Sequence, residues 1–263
     1  MQTNFSGLCT LIAIRDSKLF AYLFEEYCDI GVSMTENADG YERPESALPF
    51  SSVIRKQLPN VPDEAFSHAP GLYSEAEAAY IMWHVFRTLR DLHTSQLCHL
   101  DIRPDNILLS STGEVKLGGL SFLSSFQDDS FGGLRLNLPG KKEFVLPEYW
   151  QGFHVSCFAA DIWAAAVSLY VLVKGTNPFP IRHLDQHIEK MVNYSVIPEL
   201  DGFSDDLFHL LQLCMSPKLT LRPTLDQILV APRESVHSRR PAGSRSSAFS
   251  TIPRSTRGKS GQT

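Results

Sequence analysis

The chain has 263 residues, 43% of them hydrophobic and 20% charged, with a formal net charge of -5. That length can bury a sizeable core in one large domain or two small ones, and the composition is that of an ordinary globular protein. Five scattered cysteines without a CxxC pair argue against a disulfide framework and against a zinc site, and fit a reducing cytoplasm or nucleus.

The opening "MQTNFSGLCTLIAIRD" lacks a basic stretch and a cleavage site, so no secretory signal is expected. "CTLIAI" and "LFAYLFEEY" are short apolar runs joined by Arg15-Asp16-Ser17-Lys18 and predict a β-hairpin. From Asp29 to Gly71 the Pro, Gly, Asn and Ser content predicts mostly loop, with one short helix around Ser51–Leu58. "YSEAEAAYIMWHVFRTLRDLH" opens on a capping box, Ser74 and Glu77. Ile81, Val85, Leu89 and Leu92 then make one apolar stripe, predicting an amphipathic helix.

"CFAADIWAAAVSLYVLV", Cys157 to Val173, is apolar all round. It falls short of the ~20 residues a bilayer span requires and carries Asp161, so it predicts a central core helix rather than a membrane segment. Ser204 is expected to cap a helix whose stripe is Leu207, Leu210, Leu211 and Cys214, with Asp205 and Asp206 complementing the helix dipole. "RPTLDQIL" predicts a last short helix with Pro223 in its first turn. Beyond Pro232 stand seven Lys+Arg against the single acid Glu234, with eight serines. Residues 232–263 are therefore expected to be a disordered basic tail, where any nucleic-acid contact would lie. Strands first and helices afterwards indicate an α+β fold.

The chemistry concentrates in "CHLDIRPDNILL". Its His99, Asp101 and Asn106 resemble the catalytic loop of protein kinases, H-x-D-x-x-x-x-N. "LPEYW" is similar to the A-P-E that ends the activation segment, "DIWAAAV" to the helix that follows, "LRPT" to the Arg-Pro of the last helix, and "FEEYCD" to the hinge between the lobes. The resemblance implies a protein-kinase-like domain over residues 1–231: an N-lobe remnant and hinge at 1–28 and a C-lobe at 29–231. It implies that Asp101 orients the acceptor hydroxyl, Arg103 supplies a positive charge near the transferred phosphate, and Asn106 holds Mg2+ against the phosphates of ATP. Glu26, Cys28 and Leu108 would border adenine. His99, Glu148, Asp161 and Arg222 would be structural, Glu148 and Arg222 as a buried ion pair and Asp161 bonded to the backbone of the catalytic loop. Membrane association is not implied.

Four features resemble the Wee-type inhibitory cell-cycle kinases: the "EYC" hinge, Leu100 inside H-x-D, Leu120, and Ala166 in the core helix. That resemblance implies a protein partner or substrate, with a cyclin-dependent kinase as the specific expectation.

Two departures point to impaired catalysis. Aligned on Val115-Lys116-Leu117, the D-F-G position that supplies a magnesium carboxylate reads Gly119-Leu120-Ser121. Asp128 and Asp129 lie past it and read as a solvated loop. Only 25 residues precede Glu26, too few for a Gly-rich loop, a lysine strand and a helix, and Lys18 sits in the hairpin turn. Leu11, Ile12, Leu19 and Phe20 are then expected to present apolar faces. The leading expectation is a pseudokinase serving as a regulatory or binding module. The alternatives are an active ATP- and Mg2+-dependent kinase of Ser, Thr or Tyr whose N-lobe lies outside this sequence, and an adaptor working through its basic tail.

Overall fold

Ser74 begins the longest helix because its hydroxyl accepts the backbone N–H of Glu77, while the Glu77 carboxylate takes the backbone N–H of Ser74 at 2.8 Å. The computed structural model describes residues 5–9, 11–16, 21–25, 27–38, 40–67, 72–125, 140–153, 155–179, 189 and 200–230. The expectations for Lys18, Leu19, Phe20, Glu26, Asp128, Asp129 and the basic tail lie outside these residues, as do those for the side chains of Leu11 and Ile12.

Two short strands, β1 (Leu11–Asp16) and β2 (Ala21–Glu25), pair antiparallel as the sequence predicts, with Ile14 opposite Leu23 and an irregularity between Leu11 and Ala13. Between Asp29 and Gly71 the chain holds more structure than the expected loop. Strand β3 (Gly31–Val32) leads to a tight hairpin of β4 (Thr35–Asn37) and β5 (Gly40–Glu42). A 3-10 turn over Glu45–Ala47 then opens into α1 (Leu48–Gln57).

Arg43 explains this order. Its guanidinium is buried, donates to Ala47 O at 2.9 Å, lies 3.4 Å from Glu77 Oε1 and stacks over the Tyr73 ring at 4.5 Å. One long-range cation thus fastens β5, α1 and the start of the next helix, a tie that local composition does not reveal. Removing it would take the cation from the buried Glu77 carboxylate, which would keep its bonds from Ser74.

That next helix is α2 (Glu75–Thr94), with Ile81, Val85, Leu89 and Leu92 all buried as the stripe requires. Strand β6 (Leu97–Cys98) follows, then β7 (Ile107–Leu109) and β8 (Val115–Leu117). β7 is the middle strand between β3 and β8, and β6 pairs with β9 (Ser124–Ser125). The N-terminal residues dock on the same small sheet: Leu117 N donates to Gly7 O and Cys9 N to Leu117 O, both at 2.8 Å.

The C-terminal part is helical: α3 (Pro147–Trp150), α4 (Cys157–Lys174), α5 (Asp205–Cys214) and α6 (Leu225–Val230). α4 is long and apolar enough to cross a membrane, yet 89% of it is buried inside the fold, packed on α2 and α5. Its cap Ser156 takes the N–H of Ala159, and Ser204 caps α5 by taking the N–H of Leu207. In the α5 stripe Leu207, Leu211 and Cys214 are buried and Leu210 is partly so. Pro223 stands one residue before the cap of α6 rather than in its first turn. The capping is done by Thr224 and Gln227, whose side chains each take the other's backbone N–H.

Candidate functional site

The core helix α4 places Asp161 fully buried beneath the loop that joins β6 to β7. One of its oxygens, Oδ1, accepts the backbone N–H of Leu100 at 2.7 Å, and the other accepts that of His99 at 2.9 Å. His93, in the last turn of α2, completes the set with Nε2 at 2.9 Å from Asp161 Oδ2. Leu100 is thereby held at φ +65°, a left-handed conformation unusual for a branched side chain. On either side of this twist His99 is fully buried and Asp101 nearly so. Nδ1 of His99 accepts the N–H of Asp101, so Nε2 carries the proton and donates to Gly118 O at 3.0 Å.

Asp101 and Asn106 meet directly. The Asn106 amide nitrogen donates to Asp101 O and to Asp101 Oδ2, each at 2.7 Å. Arg103 Nε lies 3.3 Å from the other carboxylate oxygen, and Arg103 Nη1 donates to Asp105 Oδ2 at 3.0 Å. Asp101, Arg103, Asn106, His99 and Asp161 are therefore one connected cluster. Leu108 stands half-buried in the middle of β7, opposite Val32 and Lys116. Cys28 is buried, and its carbonyl accepts Gly31 N at 3.0 Å.

Glu148 and Arg222 come together farther along: Arg222 Nη2 lies 2.6 Å from Glu148 Oε1. Arg222 also donates from Nε to Ser216 O at 2.9 Å and lies over the Trp163 ring at 4.9 Å. Burial lowers the pKa of this guanidinium, and the Glu148 carboxylate opposes the shift.

At the end of β8, Gly119 adopts φ +70° and carries no ligand atom. A β-carbon there would stand 2.5–2.6 Å from the amide atoms of Asn106. The place where an aspartate would project is thus filled by the Asn106 side chain.

Lys141, Asp105, Glu36 and Tyr41 complete the surface of the site. Lys141 bonds Asp105 Oδ2 at 2.9 Å, bonds Glu36 Oε2, and lies over the Tyr41 ring at 5.5 Å. Burial alone would lower the Lys141 pKa, but its bonds to Glu36 and Asp105 prevail and raise it, so it is a fixed cation. Burial pushes Tyr41 up to about 12. Asp105 occupies a variable position inside the H-x-D-x-x-x-x-N pattern, and Glu36 and Lys141 are distant in sequence, so no spacing could have joined them.

One further donor group is buried below: His93, Cys98 and Asp161 offer atoms within 4.8 Å of one another. Asp161 is already engaged there by two backbone N–H groups and His93, which accounts for the cluster as a hydrogen-bonded support of the loop.

Comparison with known proteins places this geometry. The protein kinase domain profile matches residues 56–232. The chain is 37% identical over 161 residues to serine/threonine-protein kinase GRIK1 of Arabidopsis thaliana, covering 59% of this chain and 40% of that protein. It is 36% identical over 162 residues to GRIK2 of the same plant, covering 59% and 39%. A putative serine/threonine-protein kinase A of Trypanosoma brucei brucei is 27% identical over 160 residues, covering 61% and 37%. The chain thus spans about two fifths of the length of these curated relatives.

Proposed function

The chain belongs to the protein kinase family, and from that premise we propose that it is a kinase-shaped binding or regulatory module whose own phosphoryl transfer is impaired. Gly119 carries this reading. Phosphoryl transfer in the family uses two side-chain oxygen donors to hold Mg2+ on the ATP phosphates, an Asn of the catalytic loop and an Asp after β8. Asn106 offers the first. Gly119 offers none, and the Asn106 amide fills the space. The donor set present supplies only half of the ion's site. Loss of one preorganised charge-stabilising group costs about 3–4 kcal/mol, roughly 10²–10³-fold in rate.

The test is transfer of radiolabelled phosphate from ATP with Mg2+ to a protein acceptor. The reading expects transfer at background, unchanged by Asp101→Asn. Robust transfer abolished by that substitution would overturn it.

A second reading, an active serine/threonine kinase, is favoured by the connected Asp101–Asn106–Arg103 geometry and by the relatives aligned over this region. Asp101 would then orient the acceptor hydroxyl, Arg103 would balance charge, and Cys28 and Leu108 would border the base of ATP. The same assay separates the two.

The Wee-type resemblance supplies a finer proposal for the partner, a cyclin-dependent kinase. Two of its features, Leu100 and Ala166, are buried packing positions of the loop and the core helix, which supports their specific choice. Co-purification of such a kinase with the full chain is expected, and its failure would remove this part alone. Five free thiols agree with a cytoplasmic or nuclear setting.

A further inference from the structure

Five alternating charges run from the β4–β5 hairpin to the catalytic loop: Glu36, Lys141, Asp105, Arg103 and Asp101. Each link is a direct ion pair, with Lys141–Asp105 at 2.9 Å, Arg103–Asp105 at 3.0 Å and Arg103–Asp101 at 3.3 Å. Lys141 is the only one of these that belongs to the segment preceding α3. It is also the neighbour of Gly140, which holds φ +99° directly against Asp101. A β-carbon at Gly140 would lie 2.9 Å from Asp101 Oδ1 and 3.3 Å from Leu100 O. The carboxylate is left with little open surface: Arg103 and the Gly140 backbone face one oxygen, and Asn106 takes the other.

The anchorage behind this contact is deep. Phe144 and Leu146 are buried, Phe144 meets Tyr41 edge-on with ring centres 6.4 Å apart, and Asn177 donates to Glu143 O at 3.1 Å. In front, Lys141 is the sole described side chain that carries residue 140 onto both the hairpin and the catalytic loop. Among the described residues its partners are the two carboxylates and the face of Tyr41.

We propose that Lys141 is a positioning residue: a charge latch that holds Gly140 over the acceptor-facing side of Asp101. Opening that face requires the Glu36–Lys141–Asp105 bridge to break. The inference rests on the reading above only in taking the Asp101 face as the side that a protein partner or acceptor meets.

Hydrogen exchange of the full chain, without nucleotide, tests it on wild type, Lys141→Met, Lys141→Arg, Glu36→Gln and the Lys141→Met/Glu36→Gln double variant. Lys141→Met and Glu36→Gln should each speed exchange of the amides of residues 140–146, by about tenfold for Lys141→Met. The double variant should add little to Lys141→Met alone, because both break one bridge. Lys141→Arg should stay closed. Unchanged exchange in the single variants, or fully additive effects in the double, overturns the latch. If Lys141→Met also speeds exchange throughout α4, the fold itself has loosened, and Glu36→Gln, a change at a half-exposed side chain, decides by the same criterion. Because no ATP is present, failure here leaves the phosphoryl-transfer test untouched, and the reverse holds too.

Discussion

Asn106 stands in the space that a side chain on Gly119 would need, with its amide atoms 2.5–2.6 Å from where the β-carbon would be. The same amide is tied to Asp101 by two bonds of 2.7 Å. A restored aspartate at 119 therefore has to displace Asn106, and doing so breaks the contact that orients Asp101.

Gly119→Asp is accordingly expected to destabilise the chain and to leave phosphoryl transfer near background. The cost is about 1–3 kcal/mol, from a left-handed backbone position and the displaced amide. Urea denaturation followed by tryptophan fluorescence measures the first, and the radiolabelled assay the second. A variant as stable as wild type that transfers phosphate briskly would show that the site lacked only a carboxylate.

Arg222→Ala should be among the most damaging single changes outside the loop. It leaves Glu148, whose side chain is 12% exposed, without its partner, and it removes the cation over Trp163 and the bond to Ser216 O. A lone buried charge costs about 3–5 kcal/mol. A fall in the urea midpoint of that size is expected, with a smaller fall for the paired change Arg222→Met with Glu148→Gln, which leaves no unpaired charge. Equal falls would mean that the pair itself carries little of the effect.

Asp161→Asn tests the support of the loop. The new amide nitrogen must face either the N–H of Leu100 or the N–H of His99, donor against donor, and one buried N–H loses its acceptor. A buried unsatisfied donor costs about 1–3 kcal/mol. Exchange of the amides of His99 and Leu100 should rise with it. If only global stability falls and these amides remain protected, Asp161 is a packing residue rather than the clamp of the loop.

The helices were legible because their signals are local. The capping box at Ser74 and Glu77, the stripe from Ile81 to Leu92 and the unbroken apolar run of α4 each lie within one element. Ordered motifs carried the family, since His99, Asp101, Asn106, Glu148, Asp161 and Arg222 sit at separations that chance does not produce together. Between Asp29 and Gly71 the short helix was legible and stands as α1, but β3 was not, because its partner strand β7 is distant in sequence. Leu100 gave no hint of its left-handed backbone, which exists because Asp161 holds its N–H from 61 positions away. Lys141 and Glu36 are 105 positions apart and meet only once the fold is formed. Charge pairs of this kind have no period to read.

His84 is expected to make stability depend on pH. It lies on α2 with its ring 4.7 Å from that of Tyr80 and 4.8 Å from that of Trp83. Burial, with a smaller contribution from Arg87, lowers its pKa from 6.5 to about 4. The unfolded chain thus takes up a proton near pH 6.5 that the folded chain refuses until about pH 4. The stability that goes with a neutral His84 is complete above pH 6.5 and drains away as the pH falls through this window. Its size is up to about 2–3 kcal/mol for a group that keeps some contact with water. Urea midpoints measured from pH 7.5 to 4.5 should fall for the wild type. His84→Phe removes the titrating group and should make the curve shallower than that of the wild type between about pH 6.5 and 4.5. A variant whose midpoint falls in parallel with wild type would place the proton uptake on another group.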